Sequence, residues 1–273
     1  MTVHNRKSKT LDCLRNIYAQ LPIANWEIDI YLTDDGCTDG TPEAIRDKYP
    51  NVNIIQGNGN LFWNQGMRKA WSAAASTYNY DAYLWLNDDT ILLHNALNAM
   101  LSFGTEFPES IIVGSTVSTD GCTTTYGGLD KAGKILSPTN TLQPCNTFTG
   151  NIVLVPETVF KEIGNLDKHF SHSLGDIDYG LTAKKKGFRL LIAPEHIGIC
   201  DANPLPPKWL RENTPLKERV SNLFSPLAYT NPKEYYYFKK KHRNHLHAIL
   251  AMFSITLHLF FPSKWRKIRR QIN

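Results

Sequence analysis

Ile28-Asp29-Ile30-Tyr31-Leu32-Thr33-Asp34-Asp35-Gly36-Cys37-Thr38-Asp39-Gly40-Thr41 decides the fold. Its first five residues alternate and are rich in β-formers, which predicts a strand. The strand runs into a turn-rich acidic loop. Thr41 or Asp39 then caps a helix from Pro42 to Tyr49, with proline tolerated in the first turn. A strand, a loop and a returning helix make the repeating unit of a parallel sheet. In such sheets ligands bind beyond the carboxyl ends of the strands, so Asp34 and Asp35 stand where a ligand is expected.

The same alternation continues on both sides. Upstream, Thr2-Val3-His4-Asn5-Arg6 reads as the end of a strand and a turn. Leu11, Leu14, Ile17 and Leu21 then give helical spacing over Lys9 to Leu21. Downstream come a strand at Val52 to Gln56, a loop at Gly57 to Asn60 and a helix at Gln65 to Ser76. A buried strand from Ala82 to Leu86 follows and ends at Asn87-Asp88-Asp89. A helix at Asn95 to Phe103 and a strand at Ile111 to Ser115 complete this half. The expectation is an α/β fold with a mostly parallel, Rossmann-like sheet and helices on both faces.

The second half is more mixed. Thr123 to Leu136 has hairpin character, Asn151 to Val155 is strand-like and Glu157 to Gly164 helix-like. An acidic turn opens a helix over Gly175 to Gly187, and Arg189 to Ala193 is a strand. Proline and charge rise from Pro204 and the alternation stops. The expected division is a catalytic domain over 1–205 and a helical, basic tail over 206–273.

The chain has 273 residues, enough for one large core plus an appendage, and a net charge of +5. Much of that excess lies in Lys239 to Arg243 and Lys264 to Arg270. The five cysteines are scattered without a C-x-x-C, which argues against a disulfide framework or zinc ribbon and for a reducing compartment. No signal peptide is expected from the polar start. The longest apolar stretch, Leu246 to Pro262, is short for a spanning helix and is broken by His247 and His258. Its basic flanks suit a helix lying on an anionic membrane; they equally suit a helix packed on the domain with a solvated basic end.

Three acidic clusters carry the candidate chemistry. Asp34 and Asp35 offer acceptors for a base N–H or ribose hydroxyls, or form a polar turn. Asp88 and Asp89, following a buried strand, repel one another in a way a hard divalent cation would relieve, or form a solvated turn. In Gly175-Asp176-Ile177-Asp178-Tyr179-Gly180, a carboxylate beside a metal–diphosphate site would take a proton from a hydroxyl. Acids at a helix start are also common for dipole reasons alone.

His4-Asn5-Arg6 before a helix, the Leu32 to Thr41 loop and Asn60-Leu61-Phe62-Trp63-Asn64-Gln65-Gly66-Met67 form a specific combination with three later motifs. These are Trp85-Leu86-Asn87-Asp88-Asp89, Thr149-Gly150-Asn151 and His172-Ser173-Leu174-Gly175-Asp176-Ile177-Asp178-Tyr179-Gly180-Leu181. The set resembles the inverting family 2 glycosyltransferases of GT-A fold over about residues 2 to 205, and loosely the rhamnosyltransferases around Trp63 and Asp176. The resemblance implies a metal-dependent hexosyltransferase of cell-surface polysaccharide synthesis, using Mn²⁺ or Mg²⁺ and a nucleotide-sugar donor. Its acceptor would be a saccharide or lipid-linked saccharide, and nucleic acid is not an expected partner.

By the same resemblance, Asp35 contacts the base or ribose with Asp34 beside it, and Val3 and Asn5 border the base. Asp89 is the metal carboxylate. Asn87 stands where the family often has aspartate, which brings Asp88 forward beside Asp89. Asp176 is the base, and Asp178 a supporting acid. Thr149, Gly150 and Asn151 line the sugar or acceptor site. Read from the residues alone, the aromatic Trp63 and Trp85 either line that site as well or pack in the core. On sequence position, His172 either orients the acceptor or is a hydrogen-bonded structural histidine, and Arg68 or Lys69 approaches the diphosphate; relatives that use a histidine after the base make His196 a candidate further metal ligand, against a purely structural role. The implied location is cytoplasmic, or peripheral on the inner face of the cell membrane. Two rival functions are a sugar-phosphate nucleotidyltransferase and a non-catalytic carbohydrate-binding protein.

Overall fold

A computed structural model describes residues 1–202, 207–211 and 213–261. The expected boundary at 205/206 and the basic run Lys264 to Arg270 therefore lie outside the described residues, wholly or in part. The chain forms two compact units: Met1–Lys168 with Asp176–Ala202, and His169–Gly175 with Asn203–Asn273.

In the first unit the elements run β1 (Thr2–Val3), α1 (Lys7–Tyr18), β2 (Tyr31–Asp34), α2 (Thr41–Lys48), β3 (Asn53–Gln56), α3 (Phe62–Thr77), β4 (Ala82–Leu86), β5 (Ile91–Leu92), α4 (Ala96–Glu106) and β6 (Ser110–Val117). There follow β7 (Thr124–Tyr126), β8 (Gly128–Leu129), β9 (Gln143–Pro144), β10 (Thr147–Phe148), β11 (Ile152–Pro156), α5 (Glu157–Ile163), α6 (Gly175–Lys185) and β12 (Arg189–Ile199). Strands β1, β2 and β3 form a parallel sheet in which Val3 pairs Asp34 and Asp34 pairs Gln56, so the first acidic cluster sits at its carboxyl edge.

The larger sheet has the order β4-β11-β6-β12-β5, with β7 on β6 and β9 on β12. The α/β layout is the expected one. Within this sheet, however, β6 and β12 make the one parallel pair among the described strands. The reason is that β11 follows short returning strands instead of a crossover helix, and so enters antiparallel between β4 and β6.

Apolar faces meet on both sides of the sheets. Leu14, Ile17, Leu32 and Ile45 are fully buried with α4 residues Leu97 and Met100 in one cluster. Trp71, Trp85, Phe148 and Tyr179 form an aromatic cluster on the other side, with Trp85 at 5.1–5.2 Å from the Trp71 and Tyr179 rings. Aromatic pairs of this kind add about 1 kcal/mol each beyond their buried area. An apolar cavity of about 170 Å³ lies among Tyr31, Trp71, Tyr83 and Leu84, and none of the candidate acids lines it.

The second unit holds a 3₁₀ turn (Lys208–Leu210), α7 (Leu216–Leu223), α8 (Pro232–His242) and α9 (His245–Phe260). Trp209, Leu223, Ile255 and Leu259 make its small core. Buried Arg219 donates from Nε to the Trp209 carbonyl at 3.0 Å and from Nη2 to the His258 carbonyl at 2.7 Å, tying α7 to α9. Among the described residues no helix is long and apolar enough to cross a membrane.

Candidate active site

The loop after β2 is built by carboxylates. Asp39 accepts from the backbone N–H of Lys7 at 3.0 Å through one oxygen and from the N–H of Thr41 at 3.1 Å through the other, so one side chain serves the starts of both α1 and α2. Asp34 accepts from Cys37 N–H at 2.8 Å, closing the turn. Asp35 is buried, and its oxygens accept from the N–H groups of Gly59 at 2.8 Å, Leu61 at 2.8 Å and Phe62 at 3.0 Å. It thus holds the 57–62 loop and the start of α3. Gly57 is required here, since a Cβ on it would lie 2.8 Å from the Asp34 carbonyl and the Asp35 Cα. Asn5 accepts from Thr38 N–H at 2.7 Å, and Val3 supplies its carbonyl to Asp35 N–H at 2.9 Å.

The second cluster follows β4. Asn87 Oδ1 accepts from the Trp63 indole at 2.7 Å. Asp88 is buried, and its Oδ2 accepts from Thr10 Oγ1 at 3.2 Å. Arg6 reaches across from the turn before α1. Its Nη1 lies 2.7 Å from Asp89 Oδ2 and 3.4 Å from Asp88 Oδ1. Burial pushes the Asp88 carboxyl up to about 6, against the pull of Arg6. The Cys200 thiol lies 3.9 Å from Asp89 Oδ1; burial, and then the Asp89 charge, push it up to about 11.

The third cluster meets the second through Trp63. Gly150 N–H donates to Asp176 Oδ2 at 2.8 Å. A Cβ on Gly150 would fall 2.6 Å from the Trp63 ring and 3.1 Å from the Asp176 Cβ, so only glycine lets the three groups approach. Asp176 Oδ1 accepts from Ile177 N–H at 2.8 Å. The residue keeps some solvent access, yet its carboxyl is walled by protein. That desolvation pushes its pKa up, with the backbone N–H groups of Gly150, Ile177 and Asp176 itself pulling against it.

Other expected site residues have different neighbours. Trp85, expected at the sugar or acceptor site, is 2% exposed and belongs to the aromatic core. Arg68 donates to the Leu166 carbonyl at 2.9 Å and Lys69 to the Gln56 carbonyl. His196 Nε2 pairs with the Thr124 hydroxyl at 2.9 Å; Cys200, four residues later, is the one that reaches Asp89. Thr149 Oγ1 accepts from Gly127 N–H at 2.8 Å. The Asn151 amide donates to Cys200 Sγ at 3.6 Å, which sets Asn151 behind the acid pair. Asp178 is buried on α6, and His172 belongs to the second unit. Arg6 and Thr10 are the residues that sequence reading missed. Both contacts span about 80 positions, and only the His4-Asn5-Arg6 signature before α1 hinted at them.

The acid pair suits a hard divalent ion. Its donors are carboxylate oxygens, and they already draw in a cation of this chain. Among the described residues no group of three His, Cys, Asp or Glu side chains is placed to hold a metal by itself. Such an ion would complete its shell with phosphate oxygens and water, as Mg²⁺ commonly does.

The description "Glycosyl transferase family 2" matches residues 1–170. The chain belongs to that family. It is similar to the N-acetylglucosaminyl-diphospho-decaprenol L-rhamnosyltransferase of Mycobacterium tuberculosis, at 21% identity over 212 residues, covering 66% of this chain and 69% of that protein. Among solved structures it is similar to the Pyrobaculum calidifontis mannosyltransferase PcManGT in complex with GDP-Man and Mn²⁺. That match has a TM-score of 0.56 and 14% identity, and covers 98% of this chain and 82% of the other. It is also similar to GalNAc-T7 with UDP, GalNAc and Mn²⁺, with a TM-score of 0.57 and 14% identity over 94% of this chain and 56% of the other. The fold of this glycosyltransferase is GT-A.

Proposed function

We propose that this glycosyltransferase moves a sugar from a nucleotide-diphosphate sugar to a hydroxyl of a saccharide or lipid-linked saccharide, inverting the anomeric centre. The observation that carries the reading is the bridge from the acid pair to the base. Trp63 bonds Asn87 beside Asp88 and Asp89, and the same ring lies against Gly150, whose N–H holds Asp176.

A nucleoside diphosphate leaves readily only when its developing charge is neutralised. Mn²⁺ or Mg²⁺, when bound, supplies that charge. Asp89, with Asp88 beside it, would hold the cation; Thr10 fixes Asp88, and Arg6 pairs with both acids until a cation displaces it. Asp35 keeps the 57–62 loop shaped at the donor end, with Asp34, Val3 and Asn5 bordering it. Asp176 takes the acceptor hydroxyl's proton during attack. Gly150 N–H occupies one lone pair of Oδ2 and orients the carboxylate, leaving others for that proton. A single displacement inverts the centre, so no covalent intermediate with the enzyme is needed. The acceptor class is supported by the mycobacterial relative, whose name specifies a diphospho-decaprenol-linked sugar. Cell-surface polysaccharide synthesis beside an anionic membrane is the setting that suits such an acceptor.

The test is a panel of nucleotide-sugars with Mn²⁺, scored first by thermal stabilisation and then by released product. A matching donor stabilises the protein, and its nucleoside diphosphate is released on transfer. Release of pyrophosphate from a sugar phosphate and a nucleoside triphosphate would instead indicate a nucleotidyltransferase. Asp176→Asn is expected to keep donor stabilisation and lose transfer; full transfer by this variant would sink the base assignment.

A further inference from the structure

All but one of the exposed large hydrophobic side chains among the described residues lie in the second unit, the exception being Tyr78. Helix α9 is apolar on two sides. Ala248, Ile255 and Leu259 are buried, the last two in the small core. Leu246, Ile249, Leu250, Phe253 and Phe260 recur at helical spacing on exposed surface, with Leu246 at 62% and Phe253 at 63% exposure. Helix α7 repeats the pattern. Leu223 and Arg219 face inward, while Leu216, Val220 and, just past its end, Phe224 are exposed. Arg219 on α7 donates to the His258 carbonyl on α9 at 2.7 Å, which ties the two helices together.

The charge around this surface is predominantly positive, with Glu218 on α7 its one exposed acid among the described residues. Between Leu216 and Phe261 the acids are Glu218 and Glu234 alone, and Glu234 is buried, accepting from the Ser171 hydroxyl at 2.7 Å. The last turn of α8 carries Lys239, Lys240 and Lys241, and Arg243 follows it just before α9 begins with Leu246 in its first turn. Lysine stems beside an apolar face, with their charges at its rim, match the boundary between lipid headgroups and acyl chains. A second copy of this chain would set like charges against each other at the same rim, so the electrostatics favour an anionic partner.

We infer that the exposed faces of α7 and α9 dock on the surface of a bilayer containing anionic phospholipid, with the apolar side chains entering the headgroup boundary and the α8–α9 cations on the lipid phosphates. The purpose of this contact rests on the lipid-linked acceptor proposed above, but its chemistry does not. The test therefore contains neither donor nor acceptor.

Full-length protein is floated with vesicles of phosphatidylcholine alone and of phosphatidylcholine with 30% phosphatidylglycerol. Binding to the anionic vesicles is expected, weakening severalfold as salt rises from low to physiological strength. Phe253→Ser is expected to lower partition about tenfold. Lys240→Ser with Arg243→Ser, which leaves the apolar face intact and touches no core, is expected to lower it about tenfold on anionic vesicles only. Unchanged melting of each variant keeps the comparison free of misfolding. Absence of binding to both vesicles would overturn the inference, as would equal binding by wild type and variants. A concentration-dependent dimer that Phe253→Ser abolishes without vesicles would assign the surface to a second copy and likewise overturn it.

Discussion

Replacing Arg6 by methionine is expected to tighten Mn²⁺ binding in the absence of nucleotide. The guanidinium lies 2.7 Å from one carboxylate and 3.4 Å from the next, and any divalent ion entering between Asp88 and Asp89 must compete with it. Two unit charges at such spacing attract by about 5–6 kcal/mol at an effective dielectric of 20. Arg6 is half exposed, so solvent screening leaves on the order of 1–2 kcal/mol. Losing that competitor corresponds to about tenfold tighter Mn²⁺. Methionine keeps the stem length and the packing beside α1 without the charge. The assay is the free Mn²⁺ signal in electron paramagnetic resonance, titrated with wild type, Arg6→Met and Asp89→Asn. Unchanged or weaker binding by Arg6→Met, with Asp89→Asn still losing the ion, would refute the competition and make Arg6 a scaffold for the acids. Full binding by Asp89→Asn would instead remove the metal assignment itself.

Other substitutions test the rest of the site. Gly150→Ala puts a methyl 2.6 Å from the Trp63 ring, so transfer is expected to fall at least a hundredfold while donor stabilisation persists. Asp35→Asn leaves one oxygen for the three N–H groups of the 57–62 loop, costing about 2 kcal/mol and lowering Tm by roughly 4–8 °C in a thermal melt. For Asp176, the raised folded pKa means the native state binds the proton more tightly than the unfolded chain. Its contribution to stability is thus greatest at acid pH and declines as pH rises from the usual carboxylate range through the folded value. Asp176→Asn is expected to flatten that decline in melts taken across the window. The acid limb of wild-type kcat/KM is expected above the usual carboxylate range; a limb at an ordinary carboxylate value would contradict the base role.

What the sequence made legible were the features set by local pattern. The β-rich run to Leu32 and the apolar run to Leu86 put Asp34, Asp35, Asp88 and Asp89 at strand ends, where the structure has them. What stayed hidden depended on distant partners. Helix α1 starts at Lys7 instead of Lys9, its Lys7 N–H reaching Asp39. Helix α3 starts at Phe62 instead of Gln65 because Asp35 captures the N–H groups before it. The antiparallel entry of β11 followed from tight returns that alternation alone does not reveal. No local pattern could tell Trp63, which bonds Asn87, from Trp85, which fills the core, since both sit among apolar neighbours.

Asp39 has a consequence for how this end of the molecule opens. Its carboxylate joins the first turns of two helices whose starts are separated by more than thirty residues. Closing a loop of that size costs about 3 kcal/mol of chain entropy, which neither helix recovers alone. The first turns of α1 and α2 should therefore exchange their amide hydrogens together, as one small cooperative unit, instead of fraying independently. Asp39→Ala should split that unit and let each helix end exchange on its own.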